Sequence, residues 1–229
     1  MDPIAIPAGG GRPSLAGALF TPAGAGPRPA LLFVHGLDSD QYGYQIRARA
    51  LSEPLGLVCL TFDLGGHGDS GGGLDDLTPR DHLADLVAAY DVLAAHPVVD
   101  PARIGVCGAS YGGYLAALLV AERPVRRLLL RAPGLYDDAV LDRPLRERPH
   151  SGVGAASTAA TRSLARFTGE VLIVASGADE VIPRAVISAY QDAGPRTRLV
   201  TLKGVPHQLA EPDHRRRFLD LTGEFFAAL

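Results

Sequence analysis

The chain has 229 residues, of which 47% are hydrophobic and 21% charged, with a formal net charge of −3. That composition excludes a disordered or collagenous chain, and the charge lacks the basic surplus of a nucleic-acid binder. Two cysteines are too few for a disulfide scaffold, and the length suits a single domain with its own core.

Met1–Leu19 lacks the basic stretch and following apolar stretch of a secretory signal, and no apolar run approaches the roughly 18 residues of a membrane span. These features predict a cytoplasmic protein that binds neither membrane nor nucleic acid, as a monomer or homodimer. Leu15–Phe20 reads as a strand, followed by a Pro/Gly turn region over Thr21–Pro29. Ala30–Val34 is a continuous apolar run of the length of a buried parallel strand. Tyr44–Pro54 reads as a helix ending near Gly56, and Leu57–Phe62 as a second buried strand. Leu64–Leu77 holds six glycines and reads as a loop. Pro79–Ala95 spaces Leu83, Leu86, Val87, Tyr90 and Leu93 along one helical face, with Pro79 suited to the first turn.

The second half repeats the alternation. Arg103–Cys107 reads as a strand, Tyr111–Glu122 as a helix stopped by Pro124, and Arg127–Leu130 as a strand. Pro133–Arg166 has no strong period. Val171–Ala175 and Arg198–Leu202 read as strands, Arg184–Asp192 and Asp213–Leu229 as helices. Strands alternating with helices of this length predict an α/β fold, a mostly parallel sheet with helices on both faces.

Among the motifs, Gly66–Gly71 matches the glycine spacing of a dinucleotide loop. It runs into further glycines rather than a helix, so no cofactor is expected. No metal-ligand spacing occurs either, and no metal is expected. The pattern G-x-S-x-G occurs at Ser70 and at Ser110. A nucleophile elbow needs a strand before the serine and a helix after it, because the strained turn lifts the hydroxyl clear of the sheet. Only Ser110 has both. A nucleophilic serine needs a base, and the base an orienting acid. Asp179 follows the strand Val171–Ala175, with Glu180 its competitor, and His207 follows the strand Arg198–Leu202. Their order after Ser110 is the one this elbow uses, and all three lie past carboxyl ends of strands. His214, beside Arg215–Arg217, reads as surface. Acyl transfer also needs two N–H donors for the oxyanion. The backbone N–H groups of Tyr111 and of Leu37, in His35-Gly36-Leu37, are the candidates, which leaves the side chains of that loop free to shape a pocket.

These residues resemble those of the serine α/β-hydrolase superfamily, near its small esterase, dienelactone-hydrolase-like and serine aminopeptidase-like branches. The resemblance is carried by His35-Gly36, Asp63-Leu-Gly-Gly-His-Gly-Asp-Ser70, Gly108-Ala-Ser-Tyr-Gly-Gly113, Asp179 with Val181-Ile-Pro183, and His207. It spans most of the chain in the family order and implies that Asp63–Ser70 is a structural loop near the oxyanion site. It also implies that the strands carrying Cys59 and Cys107 flank Ala30–Val34 on opposite sides, too far apart for a disulfide. The sequence departs from relatives in reading His-Gly-Leu rather than His-Gly-Gly-Gly, in placing Pro206 before His207, and in using Ser where dienelactone hydrolases use Cys. A helix must fit between the strands Arg127–Leu130 and Val171–Ala175, so the segment at about 134–165 leaves room for a minimal cap at most. Within it Leu135 and Tyr136, with Leu141 and Leu145, either line an acyl pocket or pack the segment onto the body. The resemblance implies hydrolysis of a small-molecule carboxylic ester through an acyl group on Ser110. Thioester or aminoacyl amide and peptide hydrolysis is the alternative, and a non-catalytic small-ligand-binding role a further one.

Overall fold

The computed structural model describes residues 1–24, 26–147, 150–152 and 157–229. Eight strands are formed among these residues: β1 (Asp2–Ile6), β2 (Leu15–Phe20), β3 (Arg28–Val34), β4 (Val58–Phe62), β5 (Val99–Ala109), β6 (Arg127–Arg131), β7 (Glu170–Ser176) and β8 (Thr197–Leu202). They join one sheet in the order β1-β2-β4-β3-β5-β6-β7-β8. The first two pairings are antiparallel, and every pairing from β4 to β8 is parallel. The helices are α1 (Tyr42–Leu55), α2 (Pro79–Ala94), α3 (Tyr111–Leu119), α4 (Ala159–Arg166), α5 (Arg184–Ala193) and α6 (Pro212–Phe226).

The strands alternate their side chains between two cores. Leu31 and Phe33 of β3 join Cys59, Cys107 and Leu129 beneath Leu51 of α1 and Phe218, Phe225 and Phe226 of α6. Ala30, Leu32 and Val34 face the other way, into a core filled by α2, α3, α4 and α5. Both faces are therefore covered, which is why the parallel strands read as unbroken apolar runs. Cys59 and Cys107 lie on β4 and β5, on either side of β3, and both are free and buried.

Local chemistry sets the helix ends. Gly56 takes a left-handed φ of 64° after α1, returning its N–H to the Glu53 carbonyl. Thr78 and Asp81 form a reciprocal capping box at the start of α2, with Pro79 as its first residue. A second box, Thr158 with Thr161, starts α4 inside the segment that shows no sequence period. Residues 148–149 and 153–156 of the possible cap segment at 134–165 lie outside the described residues. Elsewhere in it are two short 3-10 turns, Asp138–Val140 and Leu145–Glu147. Among the described residues no helix is long and apolar enough to cross a membrane.

Candidate active site

Ser110 stands between the end of β5 and the first residue of α3, with φ 54° and ψ −121°. Such a conformation costs energy for any residue with a Cβ and persists only where the surroundings hold it. Here the Ser110 N–H donates to the Arg131 carbonyl at 2.9 Å, and its own carbonyl accepts from Gly113, Tyr114 and Gly134. The flanking glycines allow the approach. A Cβ on Gly112 would run into the carbonyl oxygens of Val34 and His35 on the neighbouring β3 side, and one on Gly108 into the Gly112 carbonyl.

Two loops bring the other groups in. His207, after β8, sets its Nε2 3.0 Å from Ser110 Oγ and its Nδ1 2.9 Å from Asp179 Oδ2. Asp179, after β7, uses its other oxygen to accept the Val181 and Ile182 N–H groups at 2.9 and 2.8 Å. Burial raises the energy of its charged form, but the hydrogen bonds from His207, Ile182 and Val181 outweigh it and hold the carboxyl below its ordinary range. An ionised Asp179 fixes the proton of His207 on Nδ1 and leaves Nε2 to accept from the serine hydroxyl. Glu180 reaches only the His207 backbone N–H, at 3.4 Å, so Asp179 is the carboxylate on the imidazole. The two loops are tied together: Arg131 Nη2 donates to Ser176 Oγ and to the Pro206 carbonyl, and Ser176 Oγ donates to the same carbonyl.

Tyr111 opens α3, so its N–H has no intrahelical carbonyl to meet. Gly36 passes so close that a Cβ there would be 3.4 Å from Ser110 Cβ. Of the side chains expected to be free to shape a pocket in the His35 loop, Leu37 lies on the cavity wall, but His35 does not: it is buried, and its ring braces the backbone. Its Nδ1 donates to the Gly36 carbonyl at 2.7 Å, while its Nε2 accepts from the Leu64 N–H at 3.0 Å. The Gly36 carbonyl and the Leu37 N–H belong to one trans peptide, so holding the carbonyl aims the N–H the opposite way.

Two more histidines extend this brace. His67 Nε2 accepts from the Asp38 N–H at 3.3 Å, and its Nδ1 donates to the Gly65 carbonyl at 3.1 Å. His82 Nε2 donates to the same carbonyl at 2.9 Å, and its Nδ1 lies 3.1 Å from the Tyr111 hydroxyl, which donates to it. The rings run in a row, with centroids 5.0 Å apart from His35 to His67, 5.3 Å to His82 and 5.7 Å to Tyr111. Burial pushes His35 down to about 4 and His82 to about 3, so both are neutral near pH 7. Sequence reasoning missed this row; the signal available was three histidines placed just after β3, in the glycine loop and on the inward face of α2.

Ser70, the other motif serine, is buried, donating to the Asp63 carbonyl at 2.6 Å and accepting from the Ala16 N–H at 2.9 Å. Asp63 itself accepts from Gln41 and Asp69, so this loop is a structural clamp. A cavity of about 450 Å³ opens over Ser110 and His207, with Leu37 on its wall. Leu135 and Tyr136 do not line it. Both are buried, and Tyr136 stacks edge-on against Tyr114 at 4.8 Å, so of the two readings for these residues the structure has packing. His214 is half-buried rather than fully at the surface. Among the described residues no cluster of three or more His, Cys, Asp or Glu side chains is arranged to hold a metal ion.

Comparison with known proteins gives three kinds of match. The family model for the prolyl oligopeptidase family matches residues 42–128. An uncharacterized protein of Mycobacterium tuberculosis (strain H37Rv) is 30% identical over 214 residues, covering 92% of this chain and 74% of that protein. Among solved structures, Est1E from Butyrivibrio proteoclasticus with ferulic acid bound superposes with a TM-score of 0.79 at 21% identity, covering 98% of each chain. EstE1, a thermostable carboxylesterase cloned from a metagenomic library, superposes with a TM-score of 0.76 at 22% identity, over 99% of this chain and 88% of that one.

Proposed function

This chain has the α/β-hydrolase fold, and on that premise we propose that it hydrolyses carboxylic esters through an acyl intermediate on Ser110. The observation that carries the reading is the unbroken hydrogen-bonded path from Asp179 through His207 to a serine held at positive φ. In the proposed cycle His207 Nε2 takes the hydroxyl proton as Ser110 Oγ attacks the ester carbonyl. Asp179 stabilises the imidazolium that forms, and the N–H groups of Leu37 and Tyr111 hold the oxyanion. The imidazolium returns its proton to the leaving alcohol, which departs as the acyl-serine forms. Water, deprotonated by His207, then attacks the acyl-serine; as the acyl–Oγ bond breaks, His207 returns that proton to Ser110 Oγ and the acid is released.

The esterase names of Est1E and EstE1 support ester bonds as the substrate class. A second reading, hydrolysis of aminoacyl amides or peptides, is favoured by the match to the prolyl oligopeptidase model. A p-nitrophenyl ester series from acetate to dodecanoate separates the two. Turnover that peaks at short acyl chains and vanishes in Ser110→Ala is the expected result. A folded protein that leaves every ester intact and cleaves aminoacyl p-nitroanilides would establish the second reading instead.

A further inference from the structure

Arg131 ends β6 with only 5% of its surface exposed. A buried guanidinium is ordinarily matched by a carboxylate. Among the described residues Arg131 has none at ion-pair distance. Its Nη2 serves Ser176 Oγ and the Pro206 carbonyl, and its Nε is buried with no acceptor. Arg47, on α1, is in a related state. Its Nη1 donates to the Gly43 carbonyl at 2.7 Å, its Cζ lies over the rings of Tyr44 and Phe218, 5.1 and 5.5 Å from their centroids, and its Nε is also buried without an acceptor.

Both guanidiniums line the cavity that holds Ser110 and His207; Arg47 disfavours the charge on Arg131, while Asp179 and Glu180 favour it from beyond ion-pair distance. Arg215 adds a third cation to the wall, with donors already given to the Leu209 and Ala210 carbonyls. The acidic groups on the same wall are Asp38, exposed at the rim, and Asp40, whose Oδ1 accepts the Tyr42 N–H. Behind the base, Asp179 is engaged by His207. Arginine's rigid planar fork suits a carboxylate, and its bonds to one are charge-assisted.

We infer that the cavity selects esters whose acyl chain ends in a carboxylate, with Arg131 and Arg47 as the recognising residues. The inference rests on the ester reading above and sharpens it: the substrate class becomes half-esters of dicarboxylic acids. Two p-nitrophenyl esters test it, the monoester of adipic acid and the same ester with its free acid methylated. The adipate chain is long enough that the free carboxylate does not readily attack its own ester.

In the wild type, kcat/KM for the charged ester should exceed that for the neutral one by about tenfold, mainly through KM, and added salt should shrink the ratio. Arg47→Gln and Arg131→Gln should each pull the ratio toward one. Arg131 also holds the Pro206 carbonyl, so Arg47→Gln, which leaves the acid and base loops untouched, is the arm that reads charge alone. A wild-type ratio at or below one, with both esters turned over, overturns the inference and leaves the ester reading intact. So does a ratio unchanged in both variants. If neither ester is hydrolysed by the folded protein, the ester reading falls and this inference with it.

Discussion

Three histidines near the candidate site are sealed inside the protein, whereas a fourth, His207, faces the cavity over Ser110. His35, His67 and His82 each divide their two nitrogens between one donated and one accepted hydrogen bond, all to groups of the protein itself. His207 divides its nitrogens between a carboxylate and the serine hydroxyl, with 11% of its side chain exposed. The same side chain is thus a fixed brace at His35 and His82, where burial disfavours the charged form, and in the proposed cycle a proton carrier at His207, beside a carboxylate. The difference lies in the neighbours rather than in the residue.

Breaking the carrier should cost most. His207→Ala is expected to lower kcat by about 10⁶-fold on any ester the enzyme accepts, measured with circular dichroism to confirm the fold. Asp179→Asn keeps the shape but loses the charge that fixes the tautomer, and should lower kcat by about 10⁴-fold. On the braced side the effect should be smaller and of another kind. His35→Phe keeps the ring and removes its grip on the Gly36 carbonyl, so kcat should fall about 10²–10³-fold with little change in KM. Loss comparable to that of His207→Ala would mean that His35 takes part in proton transfer.

The brace should also show itself in stability. The unfolded chain protonates a histidine near 6.5, whereas folded His35 and His82 resist protonation down to about 4 and about 3. The unfolded state therefore binds more protons as pH falls below 6.5, and folding stability drops. By pH 4 each histidine accounts for about 3 kcal/mol. Asp179, held low, contributes in the same direction once pH falls through the carboxylate range. Denaturation midpoints across that range should fall for the wild type and fall less steeply for His82→Gln, which can still donate and accept. Parallel curves would refute the assignment of His82 as a buried neutral group. The smallest effect should come from Ser70→Ala, which loses two buried hydrogen bonds for about 1–3 kcal/mol of stability and leaves turnover in place.

The carrier was far more legible in the sequence than the brace. Ser110 is marked by its glycines and by the strand and helix around it, and Asp179 and His207 by their places just past apolar strands. Those signals are local. The brace is assembled from β3, the glycine loop and α2, three segments whose contact depends on the folded sheet, and no spacing along the chain encodes it. Strand β1, and the position though not the existence of α4, escaped for similar reasons. β1, with Pro3 in it, pairs only with β2 at the sheet edge, and most of its residues are exposed, so no apolar run marks it. α4 has eight residues and a polar face, too short for a helical period to stand out, and only its capping box announces it. Strand β5 begins at Val99, earlier than its apolar core suggests, because Arg28 pairs with Val99 across a shift in register.

The central claim is that Ser110 is the nucleophile activated by His207. Its most direct test is reaction of the protein with a fluorophosphonate, followed by mass spectrometry of the labelled peptide. A single adduct on Ser110, absent from Ser110→Ala and strongly slowed in His207→Ala, is the predicted result. An unlabelled but folded protein, or an adduct on Ser70 in place of Ser110, would contradict it.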